Sequence, residues 1–178
     1  MREIELKFKV DDLDSFIEKL EKLGCSLSDV VYQNDTIYVE NLDNIESVEG
    51  SIWLRVRKLN DKIEMNLKKQ AVKKSESQEI EFEVSDYEKA NNFLKTLGYK
   101  EWVRVNKKRR YSKYLNANIC IDEVERLGSF VEIEYLIAEE DKKINYEDEL
   151  LQIATELGID ISKRVNSHYD TMIFELED

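Results

Sequence analysis

Residues 3–8 read Glu3-Ile4-Glu5-Leu6-Lys7-Phe8, charged and apolar side chains in strict alternation. A period of two is the period of a β-strand, whose successive side chains point to opposite faces. Glu3, Glu5 and Lys7 therefore share one face, and Ile4, Leu6 and Phe8 the other. The pattern returns along the chain. Trp53, Arg55 and Arg57 oppose Leu54 and Val56; Glu64, Asn66 and Lys68 oppose Ile63, Met65 and Leu67. Glu79, Glu81 and Glu83 oppose Ile80, Phe82 and Val84; Glu132 and Glu134 oppose Val131, Ile133 and Tyr135. Two folds produce this. One is an antiparallel sheet with a solvated face, which is common. The other is a barrel whose lumen is polar and whose apolar outside is covered by helices. The signs of the charges separate by strand, acids on some and bases on others. That separation suits a cavity for a metal-bound polyphosphate, with carboxylates for the ion and Arg and Lys for phosphate oxygens.

Outward from the strands, three stretches have helical spacing. Leu13, Phe16, Ile17, Leu20 and Leu23 end at Gly24; Ala90, Phe93, Leu94 and Leu97 end at Gly98; Leu150, Ile153, Ala154 and Leu157 end at Gly158. Ser85 with Glu88 three residues later predicts a capping box for the second. With no proline, the turns fall to Asn, Asp and Gly, as at Asn60-Asp61 and Leu127-Gly128. Polar loops are expected at 41–51 and 69–78. A charged strand followed by a helix with a Leu-Gly stop occurs twice, from Glu3 and from Glu79, which is the pattern of two strand–helix–strand halves. No linker interrupts them, so residues 1–178 are expected to form one domain.

The net charge of −12 argues against non-specific nucleic-acid binding. Cys25 and Cys120 lack zinc-site spacing and cannot make a disulfide framework, which predicts reduced thiols in a cytoplasmic protein. No apolar run approaches a membrane span. His168 is the single histidine, so a Ser/His/Asp triad has no support, and the ordinary place for it is the surface. Any metal should be hard and oxygen-liganded, Mg²⁺ or Mn²⁺. Tyr169 either plugs a cavity or simply packs. Cys120 is expected to be a small buried side chain rather than a nucleophile.

The pentapeptide Glu3 to Lys7 resembles the E-x-E-x-K signature of the CYTH family, the triphosphate tunnel metalloenzymes, and the remaining motifs follow in order. Asp35-Thr36-Ile37-Tyr38 is similar to the family's aspartate–tyrosine segment, Leu54-Arg55-Val56-Arg57 to its L-R-x-R strand, and Leu67-Lys68 to its single-lysine strand. Glu79-Ile80-Glu81 resembles its middle E-x-E, and Val105-Asn106-Lys107-Lys108-Arg109 its V-x-K-x-R. Asp122 with Leu127 to Glu134 resembles its closing D…G-x-F-x-E-x-E. The class IV adenylate cyclases are the subgroup most resembled, through Glu3 to Phe8 and Leu97-Gly98-Tyr99.

The resemblance implies an α+β fold, a closed antiparallel eight-stranded β-barrel with helices packed outside. It implies metal binding by Glu3, Glu5, Asp122, Glu132 and Glu134, and a phosphate clamp of Lys7, Arg55, Arg57, Lys68, Lys107 and Arg109. Glu81 is a further candidate for the metal and Glu79 a weaker one, and Glu81 and Lys7 become the candidate catalytic residues. Arg57 and Lys68, on the inward parity, read as ligands rather than structural ion-pair partners. Three departures stand out. Ser77 occupies a place where the family often has arginine. Ser167-His168-Tyr169 replaces R-S-Y. Val103 and Val105 share parity with Lys107, so alternation alone selects Lys108 and Arg110 as inward unless a bulge intervenes.

The implied function is a metal-dependent enzyme on a triphosphate, converting ATP to cyclic AMP and pyrophosphate. The alternatives are a triphosphatase acting on thiamine triphosphate or tripolyphosphate, and a non-catalytic polyphosphate- or nucleotide-binding module. A plain interaction domain with a solvated face would need no metal. The expected partner is a small-molecule triphosphate, not nucleic acid or membrane, and a homodimer is the default assembly.

Overall fold

The computed structural model describes residues 2–42, 52–70, 77–138 and 145–176, without the side chains of residues 2, 3, 70 and 77–79. In chain order the elements are β1 (Arg2–Val10), α1 (Leu13–Lys22), β2 (Val31–Val39), β3 (Ile52–Leu59), β4 (Lys62–Gln70) and β5 (Ser77–Val84). They continue with α2 (Tyr87–Thr96), β6 (Lys100–Tyr114), β7 (Ala117–Val124), β8 (Gly128–Ile137), α3 (Tyr146–Glu156), β9 (Arg164–Val165) and α4 (Tyr169–Phe174). Most of the loop expected at 41–51, and the centre of that expected at 69–78, lie outside the described residues; the ends of the latter belong to β4 and β5. No helix is long and apolar enough to cross a membrane among the described residues.

The chain divides into two compact units, Met1–Val31 with Lys108–His168, and Tyr32–Lys107 with Tyr169–Asp178. In the first, the strand order is the C-terminal part of β6, then β7, β8, β1 and β9. Leu6 and Phe8 of β1, Ile119 and Ile121 of β7, and Val131 and Ile133 of β8 form its core with Phe16 and Leu20 of α1 and Leu150, Ile153 and Leu157 of α3. These are the apolar halves of the alternating strands. Each such side chain, fully buried, contributes about 1.5–3 kcal/mol. Asp12 caps α1, its carboxylate accepting from the Ser15 N–H at 3.0 Å. Gly24, at φ 78°, closes it, with Cys25 N–H donating back to the Leu20 carbonyl.

In the second unit the order is β5, β4, β3, β2 and the N-terminal part of β6. Leu54, Val56, Ile63, Met65 and Leu67 lie under Ala90 and Leu94 of α2, with Tyr38 among them. The Tyr38 hydroxyl donates to Asn91 Oδ1 at 2.7 Å, which lets a polar tip stay buried. The N-cap of α2 is Asp86, accepting from Lys89 N–H at 2.9 Å, rather than Ser85. An Asp at the cap adds a charge favourable to the helix N-terminus, and this displaces the Ser85–Glu88 capping box one residue.

The α+β class, the antiparallel strands and the three expected helices are present. The sheet has nine strands rather than eight, and its hydrogen-bonded order ends at β5 and at β9 without closing among the described residues. The extra strand is β9, paired with β1 through Lys7↔Val165 and Phe8↔Arg164. Two residues are too few to leave an alternation signal in the sequence, and the same is true of the short helix α4.

Candidate functional site

The polar face of the first unit is set by strand register. Across β1, β8 and β7, Glu5 faces Glu134, which faces Asn118; Lys7 faces Glu132, which faces Cys120. Asp122 stands one pleat further along β7. Glu3 pairs in register with Leu136, its side chain lying outside the described residues. Because the opposite faces of these strands are locked in the core, a one-residue slip would expose that core, so the charged register is fixed by hydrophobic burial.

Four of the expected residues meet here in one buried ion cluster. Asp122 is fully buried, and Glu132 and Lys7 nearly so. Arg109 donates through Nε to Asp122 Oδ1 at 2.6 Å and through Nη2 to Asp122 Oδ2, a bidentate fork, and Nη2 also donates to Glu132. Lys7 Nζ is 3.4 Å from Glu132 Oε1 and donates to the Ser167 carbonyl at 3.3 Å. Burial alone would lower the Arg109 pKa; the hydrogen bonds and charge of Asp122 and the charge of Glu132 outweigh it and hold it raised. Beside them, burial pushes the Cys120 thiol up to about 12, so it is neutral and unreactive in character. Glu134 accepts from Asn118 Nδ2 at 3.2 Å, and Glu5 is exposed.

In the second unit, register makes Asp35 face Arg57, which faces Glu64, while Arg55 faces Asn66, which faces Glu81. Arg57 donates Nε to Asp35 Oδ1 at 2.7 Å and Nη2 to Asp35 Oδ2 at 2.6 Å. Arg55 lies 4.0 Å from Asp35 and 3.9 Å from Glu81. Asn66 Nδ2 reaches Glu81 at 3.5 Å. Glu81 itself is half exposed and loosely held. Burial, then the Glu81 charge, raises the Glu64 pKa against the pull of Arg57 and Arg55. Lys68 is half-buried opposite Trp53 and Glu79. Lys107 is buried, its Nζ 4.9 Å from the ring centroid of Tyr169, also buried.

Several expectations are refined by this geometry. Arg57 does have a structural ion-pair partner, the buried Asp35, so ligand and ion-pair roles are not exclusive. Along β6, Val103, Val105 and Lys107 are buried in alternation and Lys108 is exposed. No bulge is needed, because that face is apolar at one end and charged at the other. His168 is exposed. Residues that sequence reasoning did not assign are Asp35, Asn66, Asn118 and the Ser167 carbonyl. Asp35 was signalled by its motif; the carbonyl had no signal, since backbone acceptors are invisible in a sequence.

The donor chemistry fits a hard divalent ion. Asp122 and Glu132 both reach one Arg109 nitrogen, so two buried carboxylates lie together. Mg²⁺ is ordinarily held by one or two carboxylates plus water and phosphate oxygens, and does not need a full protein cage. Among the described residues no three His, Cys, Asp or Glu side chains converge.

The CYTH domain model matches residues 1–167. "Putative adenylate cyclase MJ0240" of Methanocaldococcus jannaschii is 31% identical over 171 residues, covering 95% of this chain and 97% of that protein. "Adenylate cyclase CyaB" of Aeromonas hydrophila is 25% identical over 172 residues, with 96% and 87% covered. Among solved structures, the PH1819 protein of Pyrococcus horikoshii aligns with a TM-score of 0.78 at 28% identity, over 98% of this chain and 99% of that one. The chain belongs to the CYTH domain family.

Proposed function

We propose that this chain is a divalent-metal-dependent enzyme acting on a triphosphate, and that its reaction cyclises ATP to cyclic AMP and pyrophosphate. The observation that carries the proposal is the buried cluster of Lys7, Arg109, Asp122 and Glu132. Removing such charges from water costs several kcal/mol per ion, and an apolar filling would usually be as stable or more so. A cluster kept despite that cost is best accounted for by ligand binding. The names of the two relatives support the choice of reaction.

In this reading Asp122 and Glu132 hold Mg²⁺ or Mn²⁺, with Glu3, Glu5 and Glu134 as further ligands or their support. The ion would neutralise charge on the phosphate oxygens. Arg55, Arg57, Lys68, Lys107, Arg109 and Lys7 bind phosphate oxygens, and Asp35 orients the two arginines of β3. The ribose 3′-hydroxyl attacks the α-phosphorus, the α–β bridging bond breaks, and pyrophosphate leaves. Glu81, the loosely held acid, accepts the hydroxyl proton; Lys7 offsets charge on the phosphates.

The test is product analysis with Mg²⁺ or Mn²⁺ on ATP, thiamine triphosphate and tripolyphosphate, with and without chelator. Cyclic AMP and pyrophosphate from ATP, lost on chelation, is the expected result. Orthophosphate release alone would establish the triphosphatase instead, and full turnover in excess EDTA would end the metal assignment.

A further inference from the structure

The first unit contains an open cavity of about 960 Å³, of whose lining the proposed chemistry uses only Glu134. Its walls include Leu23, Leu27, Tyr111 and Tyr114, with Asn118 and Glu134 among its polar groups. It is continuous with the charged face in two ways. Asn118 and Glu134 are hydrogen-bonded to each other on the strand face that carries Glu132 and Asp122. Tyr111 lies two residues beyond Arg109 on β6, and the Arg109 guanidinium sits 5.9 Å from its ring centroid.

Resting on the triphosphate reading, we infer that this cavity receives the planar heteroaromatic end of an organic triphosphate, and that Tyr111 is a specificity-determining residue. The volume is that of pockets that take drug-sized ligands, and the cavity is open enough to admit one end of such a molecule. An aromatic wall stacks on any heterocycle, and the Asn118–Glu134 pair supplies an acceptor and a donor for its edge. Inorganic tripolyphosphate has nothing to place against leucine and tyrosine side chains. The Tyr111 wall leads directly to Arg109, so the phosphate end of the same molecule points to the ion cluster.

The proposal is tested by isothermal titration of tripolyphosphate and of methylene-bridged analogues of ATP and thiamine triphosphate, on wild type and three variants. Tyr111→Ala removes the wall, Ser26→Phe fills the space, and Tyr111→Phe keeps the ring. Both altered positions are exposed. The Tyr111 backbone bonds to Ser28, at 2.9 Å each way, and the Ser26 carbonyl acceptor do not depend on the replaced side-chain atoms. In Tyr111→Ala and Ser26→Phe, at least one organic analogue loses about tenfold or more in affinity while tripolyphosphate is unchanged, and Tyr111→Phe restores binding. Organic affinities unchanged in both variants, or an equal loss for all three ligands, would overturn the inference. Failure of wild type to bind tripolyphosphate would instead defeat the proposed function, and this inference with it.

Discussion

Asp122 has no exposed surface and gives both carboxylate oxygens to Arg109, so removing it takes the bidentate partner from a buried cation and leaves it only the single acid contact to Glu132. Breaking a buried pair from one side costs about 3–5 kcal/mol, far more than the pair contributes net. Asp122→Ala is therefore expected to lower stability by that amount in denaturant melts, whereas the exposed Glu5→Ala should change it by about 0.5 kcal/mol or less. Equal effects would mean that Arg109 finds solvent or another acid when Asp122 is removed. Cys120 supplies a second expectation. The fold favours its neutral thiol, so the stability it contributes is complete below the ordinary thiol pKa of 9.0 and is lost as pH rises toward about 12. At pH 8.5–9 iodoacetamide should alkylate Cys120 in the unfolded chain but not in the native one. Comparable native and unfolded rates would contradict its burial.

At the scale of elements, the cap of α2 separates two neighbours that sequence reasoning could not. Asp86 accepts from Lys89 N–H, while Ser85 stands outside the helix start. Asp86→Ala is expected to cost about 0.5–2 kcal/mol and Ser85→Ala only a few tenths, measured by chemical denaturation. The reverse ranking would restore the capping box. Why these elements were legible is physical. Alternation in β1, β3, β4 and β8 is enforced because one face of each packs under a helix, and that demand is written residue by residue; β5 alternates too, but leaves Ile80 and Phe82 exposed. The helix stops were legible because Gly24 and Gly98 take up positive φ, which few other residues tolerate. The two-residue β9 and the six-residue α4 are held by tertiary pairing and leave no periodic trace. The charged positions followed from the same alternation, but their pairing did not. Nothing in the one-dimensional pattern says that Arg57 meets Asp35, or that Arg109 bridges Asp122 and Glu132, because strand neighbours depend on sheet order.

For the whole molecule, the ion pairs decide how the proposed clamp must be tested. A ligand that binds only the folded state at 100 times its Kd adds about 2.7 kcal/mol, which for a chain of this size raises Tm by roughly 5–11 °C. Tripolyphosphate with Mg²⁺ is expected to do this, and Mg²⁺ alone to do much less, since Asp122 and Glu132 already have Arg109 as counter-ion. Lys68→Ala and Arg57→Ala should both reduce the shift. Their unliganded melts should differ, however, and the difference is informative. Arg57→Ala leaves Asp35 buried without its bidentate partner, so its own Tm falls before any ligand is added. Lys68 is half-buried, opposite Trp53 and Glu79 in register, and removing it strands no buried acid like Asp35 in that pair, so its unliganded Tm should fall less than that of Arg57→Ala. Comparing absolute melting temperatures would therefore mistake the Asp35 effect for lost binding; the ligand-induced shift, taken against each variant's own baseline, removes it. A Lys68→Ala protein that melts like wild type and keeps the full tripolyphosphate shift would take Lys68 out of the clamp. If Arg57→Ala also kept its full shift, Arg57 would be a structural partner of Asp35 and no more, and the phosphate-binding role would fall to Lys7, Arg55, Lys107 and Arg109.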